Sequence, residues 1–450
     1  MKSLEQKISA AVLKMIRSRR QPDPEADTHG PSSVAIAPAK LREARFSDFP
    51  AVAALKQRGG LHADSMENWE RLWRHNAALE FNTTERPIGW VLDAGGEVVG
   101  YLGNISLLYR FGGRTLTAVT AHGLVVDPPY RGVGVTLVAA YFRQKNVDLF
   151  VSTSAIEAVG KIALAFKSSP LPQPDYDIAL FWVLRPHGFA SALMQKLKTA
   201  PAPARIGSIA AALTIGADKI FRRRRPLRPA TPFTVSEIGV DEVRSDFQSF
   251  WTGKQKEGCR LLADRSPAAL RWHFKIPGDR GSARVLCCHL GHELVGYTIV
   301  RNDCNETTGL RTSIIADTLV KNDDPEIVRA LWAAAYDHAE HSGSHILEVL
   351  GFPPNVRSAA AEWKPYRRKY LACPFYYKTP DPELQSALSN AAAWYASPFD
   401  GDATLIRPSY SLSKPAVTQM HVQIEEADAR HDNVPEALVP SNEPQHSEVS

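Results

Sequence analysis

The sequence predicts a mixed α/β protein, α+β in character with mixed sheets, built as two similar units in tandem. Three observations carry this. Residues 122–142 read as an apolar strand, a glycine-spaced turn and a helix in immediate succession. Glycine pairs at Gly95-Gly96 and Gly112-Gly113 separate apolar, β-rich runs, which is the pattern of hairpins. His292-Glu293-Leu294-Val295-Gly296-Tyr297 echoes Gly96-Glu97-Val98-Val99-Gly100-Tyr101, and 450 residues exceed what one typical core organises.

The first unit is expected over residues 41–185. Residues 41–44 read as a strand, with Ser47 or Asp48 placed to cap a helix running towards Arg58. Residues 67–75 form a short amphipathic helix carrying Trp69 and Trp73. Strands at 90–93 and 98–102 flank the first glycine pair, a longer strand reaches Tyr109, and the strand 115–127 follows the second pair. Period-two alternation puts Thr120, His122, Leu124 and Val126 on one face of that last strand. A strand at 148–153, a helix at 157–166 and an apolar strand at 178–184 complete the unit.

The chemistry centres on Asp127-Pro128-Pro129-Tyr130-Arg131-Gly132-Val133-Gly134-Val135-Thr136. A glycine turn opening a helix is an anion-binding device, because first-turn N–H groups lack intrahelical partners and the helix dipole adds positive charge. Gly132 and Gly134 permit close approach of a phosphate, and Arg131 adds a cation suited to its oxygens. No Lys-Ser/Thr pair follows, which excludes a Walker loop. Leu137 stands where a dinucleotide fingerprint needs its third glycine. An ordinary strand–turn–helix, its glycines only relieving the turn, is the alternative.

Arg131-Gly132-Val133-Gly134 after a strand resembles the pyrophosphate loop of the GNAT superfamily of acyl-CoA-dependent acyltransferases, whose pattern is Arg/Gln-x-x-Gly-x-Gly/Ala. Thr136 departs from it, standing at the final Gly/Ala. The element order across residues 41–184 is similar to that family as well. The resemblance implies that acetyl-CoA or another acyl-CoA is bound by Arg131, Gly132, Val133, Gly134, Val135 and Thr136. It also implies that a backbone N–H of Val125 or Val126 polarises the thioester carbonyl. After the strand at 148, relatives place an Asn on pantetheine; here Ser154 is the substitute, or the contact is missing. His122 is the candidate base, since its ordinary pKa lies near neutrality. A strand histidine also serves as a hydrogen-bonded core residue, and Asp127 is a second option that could simply cap the turn. No metal site is expected.

Residues 233–410 are expected to repeat the fold without the loop. Strands are read at 312–320, 345–350 and 374–377, and helix at 331–336. In place of the glycines stands Val320-Lys321-Asn322-Asp323-Asp324-Pro325, whose carboxylates would repel a pyrophosphate. The second unit thus looks like a degenerate GNAT copy, and the duplication also resembles Fem-type aminoacyl transferases. Residues 266–274 and 396–402 look like GNAT-type proteins of bacterial polysaccharide gene clusters. That implies an N-acyltransferase acting on an amine such as an amino sugar. A catalytically degenerate binding or regulatory protein is the alternative. Trp272, His273, Trp363, Tyr366, Arg367 and Arg368 are candidates for the acceptor site, although 364–369 reads equally as a solvated basic segment.

Net charge is +5, with 44% hydrophobic and 22% charged residues, an ordinary globular balance that gives no case for a nucleic-acid partner. Cys259, Cys287, Cys288, Cys304 and Cys373 match no zinc spacing and read as reduced cytoplasmic thiols. Residues 1–20 carry Leu4, Ile8, Val12 and Ile16 at helical spacing between basic residues, without the unbroken apolar run of a signal peptide. A flexible linker follows to residue 40. Residues 186–232 read as apolar helices ending in Arg222-Arg223-Arg224-Arg225. They are either a solvated linker or a peripheral contact with anionic lipid at the inner membrane. Residues 411–450 are polar and acidic and read as disordered.

Overall fold

The computed structural model describes residues 37–81, 86–153, 157–197, 201–222, 224–226, 232–278, 282–370 and 375–405. The expected N-terminal helix, the linker up to residue 36, the acidic tail, Ser154, Arg223, Cys373 and Pro374 lie outside the described residues.

The chain enters as β1 (Lys40–Glu43) and forms α1 (Phe49–Arg58) and α2 (Met66–Trp73). Asp48 does not cap α1; its carboxylate accepts from the Arg45 N–H at 2.7 Å and pairs with Arg42. Three antiparallel strands follow, β2 (Gly89–Ala94), β3 (Glu97–Phe111) and β4 (Arg114–Val126). Gly95, Gly96, Gly112 and Gly113 all have positive φ, as two-residue hairpin turns require. The chain continues through α3 (Val135–Phe142), β5 (Leu149–Ser152), α4 (Glu157–Ala165), the short β6 (Ser169–Pro170) and β7 (Ile178–Val183).

A helical pair, α5 (Pro186–Lys196) and α6 (Pro201–Phe221), leads to the second half. This contains β8 (Phe233–Gly239), α7 (Ser245–Lys254), β9 (Leu262–Ala263), α8 (Pro267–Phe274), β10 (Ala283–Leu290), β11 (Glu293–Cys304) and β12 (Arg311–Val320). It ends with α9 (Pro325–His341), β13 (Ile346–Val349), α10 (Pro354–Ser358), β14 (Tyr366–Lys369), β15 (Tyr376–Lys378) and α11 (Pro382–Leu388).

The strands form two mixed sheets, ordered β1-β2-β3-β4-β5-β15-β6 and β8-β10-β11-β12-β13-β7-β14, with β9 added to the outer part of β3. In each, three antiparallel pairings are followed by one parallel and two antiparallel pairings. The sixth strand of each sheet comes from the other half of the chain. The strand expected to complete the first unit, β7, pairs instead with β13 and β14, and β15 takes its place beside β5. Side-chain bonds between the halves accompany the exchange: the Trp182 indole N–H donates to the Trp363 carbonyl at 3.2 Å, and Lys378 Nζ of β15 to the Phe166 carbonyl at 2.8 Å.

The exchange merges the two interiors. One apolar core runs from Val52, Leu55 and Trp69 of the first half through Trp182, Leu286 and Trp332 to Phe399 and Leu405. A smaller core, including Leu102, Val119, Leu137 and Tyr141, lies between the first sheet and α3. The first sheet is therefore covered on both faces, by α1 and α2 on one side and α3 and α4 on the other.

Candidate functional site

β4 carries an irregularity at the point where its chemistry begins. Its register against β3 shifts between Tyr101 and Gly103, and the extra residue is Gly123, with φ +66°. A β-bulge of this kind breaks period-two alternation. Consequently the expected face does not hold: Leu124 and Val126 pack with the core beneath α3, while His122 turns to the opposite side, towards α1 and α2. The left-handed φ at 123 favours glycine, and a Cβ there would also press on Lys56 Cε at 2.9 Å.

On that face the fold assembles a buried polar cluster. Lys56 of α1 donates to Asp64 Oδ2 at 2.6 Å and lies 3.5 Å from His122 Nε2. Asp64 Oδ2 is itself 3.7 Å from Nε2. On the other edge of the imidazole, Nδ1 meets Asp402 Oδ2 at 3.3 Å. Asp402 Oδ1 accepts from the Thr153 hydroxyl at 3.1 Å, and Asp64 Oδ1 from the Asn68 amide at 2.8 Å. Lys56, Asp64, His122 and Asp402 are all buried. This network fixes the neutral tautomer: Nδ1–H donates to Asp402 and the Nε2 lone pair faces the Lys56 ammonium.

Charge balance decides the protonation preference. With His122 protonated, Lys56, His122, Asp64 and Asp402 sum to zero; with it neutral, one buried negative charge is left over. Burial and the Lys56 charge press the imidazole towards the neutral form, but its bonds to Asp402 and Asp64 outweigh them and raise its pKa above the usual histidine value. Burial likewise opposes ionisation of Asp64, and Lys56 and His122 overcome it, holding that carboxyl well below the usual range.

Asp402 reaches His122 because both halves of the chain grip its segment. Two arginines, buried by the fold, hold the next carbonyls: Arg71 donates to Leu405 O at 2.7 Å and Arg301 to Thr404 O at 2.9 Å. His273 Nδ1 sits 2.9 Å from the Thr404 hydroxyl. Gly401, with φ +73°, brings the backbone so close to Thr153 that a Cβ would lie 2.3 Å from its hydroxyl oxygen. Burial and repulsion from Arg301 lower the Arg71 guanidinium to about 10.

The glycine loop lies at the end of β4. β4 pairs with β5 only over Ala118–Thr120 and then runs on with β3 alone, so its outer edge is open from residue 121. The Asp127 N–H donates to Val99 O of β3 at 2.8 Å. Alternation along the strand therefore turns the Val126 N–H to the open edge and the Val125 N–H into the sheet. Arg131, Gly132 and Val133 are exposed, whereas Gly134 is buried against Val126; a Cβ there would lie 3.1 Å from Cγ2. The turn winds tightly: the N–H groups of Val133, Gly134, Thr136 and Leu137 each donate to the carbonyl three residues back, and Thr136 Oγ1 donates to Val133 O at 2.7 Å. Three of the amides expected to face an anion, those of Val133, Gly134 and Thr136, thus have partners within the turn. Asp127 caps nothing and instead pairs with Arg58 at 2.8 Å.

The expected acceptor residues do not come together. Trp272 and His273 lie beside Arg71, Thr404 and Phe399, whereas Trp363 is buried against Trp182 and Tyr366, Arg367 and Arg368 belong to edge strand β14. A cavity of about 300 Å³ opens elsewhere, between the α1–α2 loop and the segment after α8, lined by Gln57, His62, Asp64, Ser65, Asn68 and Ile276. Its Asp64 wall is the outer edge of the His122 cluster.

In the second sheet the loop position is built differently. Asp323 is held by Lys254 at 2.8 Å and Arg260 at 2.6 Å, and Asp324 caps α9 through the Glu326 N–H. Burial opposes ionisation of Asp323, but the Arg260 and Lys254 contacts bring it down to about 2. Both carboxylates are thus engaged in the protein's own contacts.

Lys56, Asp64, Asp402 and Thr153 were not singled out by sequence reasoning. Asp402 alone left a trace, in the flagged run ending Phe399-Asp400-Gly401-Asp402. Among the described residues no group of three or more His, Cys, Asp or Glu is arranged to hold a metal ion.

No protein-family model matches the chain, and no curated protein matches it. Among solved structures it is similar to a GCN5-related N-acetyltransferase from Kribbella flavida, at 13% identity over 77% of this chain and 72% of that one, TM-score 0.47. A GCN5-related N-acetyltransferase from Anabaena variabilis matches at 9% identity over 76% and 73%, TM-score 0.49. The Saccharomyces cerevisiae N-myristoyltransferase with bound myristoyl-CoA matches at 10% identity over 81% and 90%, TM-score 0.45.

Proposed function

We propose that this chain is an acyl-CoA-dependent N-acyltransferase in which His122 accepts the proton of an amine acceptor. The observation that carries the reading is a histidine clamped between two buried carboxylates on the one strand whose free edge ends in an exposed glycine loop. Acyl-CoA supplies an activated thioester; Arg131, Gly132 and the α3 N-terminus would hold its pyrophosphate, and the Val126 N–H would polarise its carbonyl. The amine enters through the cavity walled by Asp64, whose negative charge suits a cation. An amino sugar of surface polysaccharide is the acceptor class we favour. The matched strand order of the two sheets supports duplication of one unit, with the second having lost its loop. A reducing, cytoplasmic setting is the one we favour, since the five cysteines follow no disulfide framework.

One observation favours a second reading, a protein that keeps the fold without using acyl-CoA: the loop amides already paired within the turn. A thermal-shift titration with acyl-CoA separates the two. A Cβ at Gly132 would meet no atom within 4 Å, so the fold does not need that glycine, whereas a phosphate seated there would. On our reading Gly132→Ala leaves the melting temperature of the free protein unchanged and weakens the saturable shift, as does Arg131→Ala. No shift with the wild-type chain at millimolar acyl-CoA moves the assignment to the second reading.

A further inference from the structure

α6 is amphipathic in the reverse sense. Its polar residues face the protein: Lys219 donates to the Leu184 carbonyl at 3.3 Å, and Asp218 pairs with Arg224 at 2.6 Å and accepts from the Tyr366 hydroxyl. Its exposed residues are Ile209, Ala210, Leu213, Thr214, Ala217, Ile220 and Phe221, which recur at helical spacing along one face. Leu213 is 71% exposed, Ile220 74% and Phe221 85%. Thr214 spends its hydroxyl on the Ala210 carbonyl at 3.0 Å. No carboxylate interrupts this face. Directly beyond it the helix passes into exposed Arg222, which also pairs with Asp218 at 2.9 Å, and exposed Arg225.

We infer that this face of α6 seats on an anionic lipid surface, its apolar side chains entering the interface and the arginines meeting headgroup phosphates. An apolar face bordered by cations is what such a surface selects. From Ile209 to Phe221 the stripe runs about 18 Å at 1.5 Å per residue, and no helix among the described residues is long and apolar enough to cross a membrane, so α6 lies along the surface. Two other occupants fit less well. Seven residues on one helix fall far short of the roughly 20–30 per side of a stable protein interface, which argues against a second copy. Residues 1–20 have suitable apolar spacing, but Lys2, Lys7, Lys14 and Arg17–Arg20 would meet Arg222 and Arg225 with like charge. That segment is instead a second basic element suited to the same surface.

The test uses the full chain with vesicles of phosphatidylcholine alone or mixed with phosphatidylglycerol. A Leu213→Cys variant, with Cys259, Cys304 and Cys373 replaced by serine, carries an environment-sensitive nitrobenzoxadiazole label. We expect the label to brighten and shift to the blue with the anionic vesicles only. We also expect Leu213→Glu/Ile220→Glu, whose side chains support no packing, to co-sediment with those vesicles at least tenfold more weakly at unchanged helicity. Three results overturn the inference: no co-sedimentation of the wild type, co-sedimentation with an unchanged label, or a label already buried by self-association before lipid is added.

Discussion

Replacing Asp402 by asparagine removes one charge from the His122 cluster and little else. The backbone N–H of residue 402 still donates to Thr153, and the Arg71 and Arg301 clamps on the following carbonyls are untouched. In the wild-type protein the Lys56 ammonium at 3.5 Å and the Asp64 carboxylate at 3.7 Å from Nε2 act on the imidazole with opposite sign and largely offset each other. The Asp402 carboxylate, 3.3 Å from Nδ1, then decides the balance. At an effective dielectric of about 20 its direct attraction for an imidazolium would be about 5 kcal/mol, an upper bound. Opposite charges this close typically move a pKa by about 1–3 units, or roughly 1.4–4 kcal/mol. Without that charge, burial dominates. The His122 pKa should therefore fall in Asp402→Asn.

The assay is an NMR titration of the protein labelled with 15N-histidine, the His122 signal among the 14 histidines being the one missing from His122→Ala. The sign is definite. A raised pKa means that His122 contributes stability below its unfolded value and loses it as pH rises through its folded value. Asp402→Asn should flatten that loss. If transfer activity is measured in parallel, the acid limb of the pH–rate profile should move down with the titration. A His122 signal that titrates at the wild-type pH, or higher, in Asp402→Asn refutes the charge argument.

Two further predictions concern the same cluster. Lys56→Met leaves Asp64 buried without its cation and should cost about 3–5 kcal/mol, read by urea denaturation, whereas Lys56→Met/Asp64→Leu should recover most of that loss. Equal stability of the single and double variants would show that the pair is not coupled. Gly123→Ala combines a left-handed backbone with a Cβ 2.9 Å from Lys56 Cε, so it should destabilise by about 1–3 kcal/mol and release the lysine from Asp64. An unchanged melting temperature would mean that the bulge can be rebuilt without glycine.

The local sequence determined the elements. Glycine pairs at the two hairpins and β-branched runs are short-range signals that appear in place, whereas the cap expected at Ser47 or Asp48 does not form. The glycine-spaced turn opening α3 was equally legible, because only residues 127–137 build it. Three things were not. Which sheet receives β7 or β15 is a question of partner, and two apolar strands of similar pattern carry no mark of which neighbour they will find. The face of His122 depends on one inserted residue: a single glycine in a strand reads locally as a weak spot, and only the register against β3 shows that it reverses the alternation. Asp402 stands 280 positions from the imidazole it charges. The run around it was noticed, but its carboxylate read as that of a solvated turn, and only the grip of Arg71 from one half and Arg301 from the other holds its segment in the core. Periodicity encodes what lies within a few residues, and the tertiary fold alone decides which distant charges share one low-dielectric site.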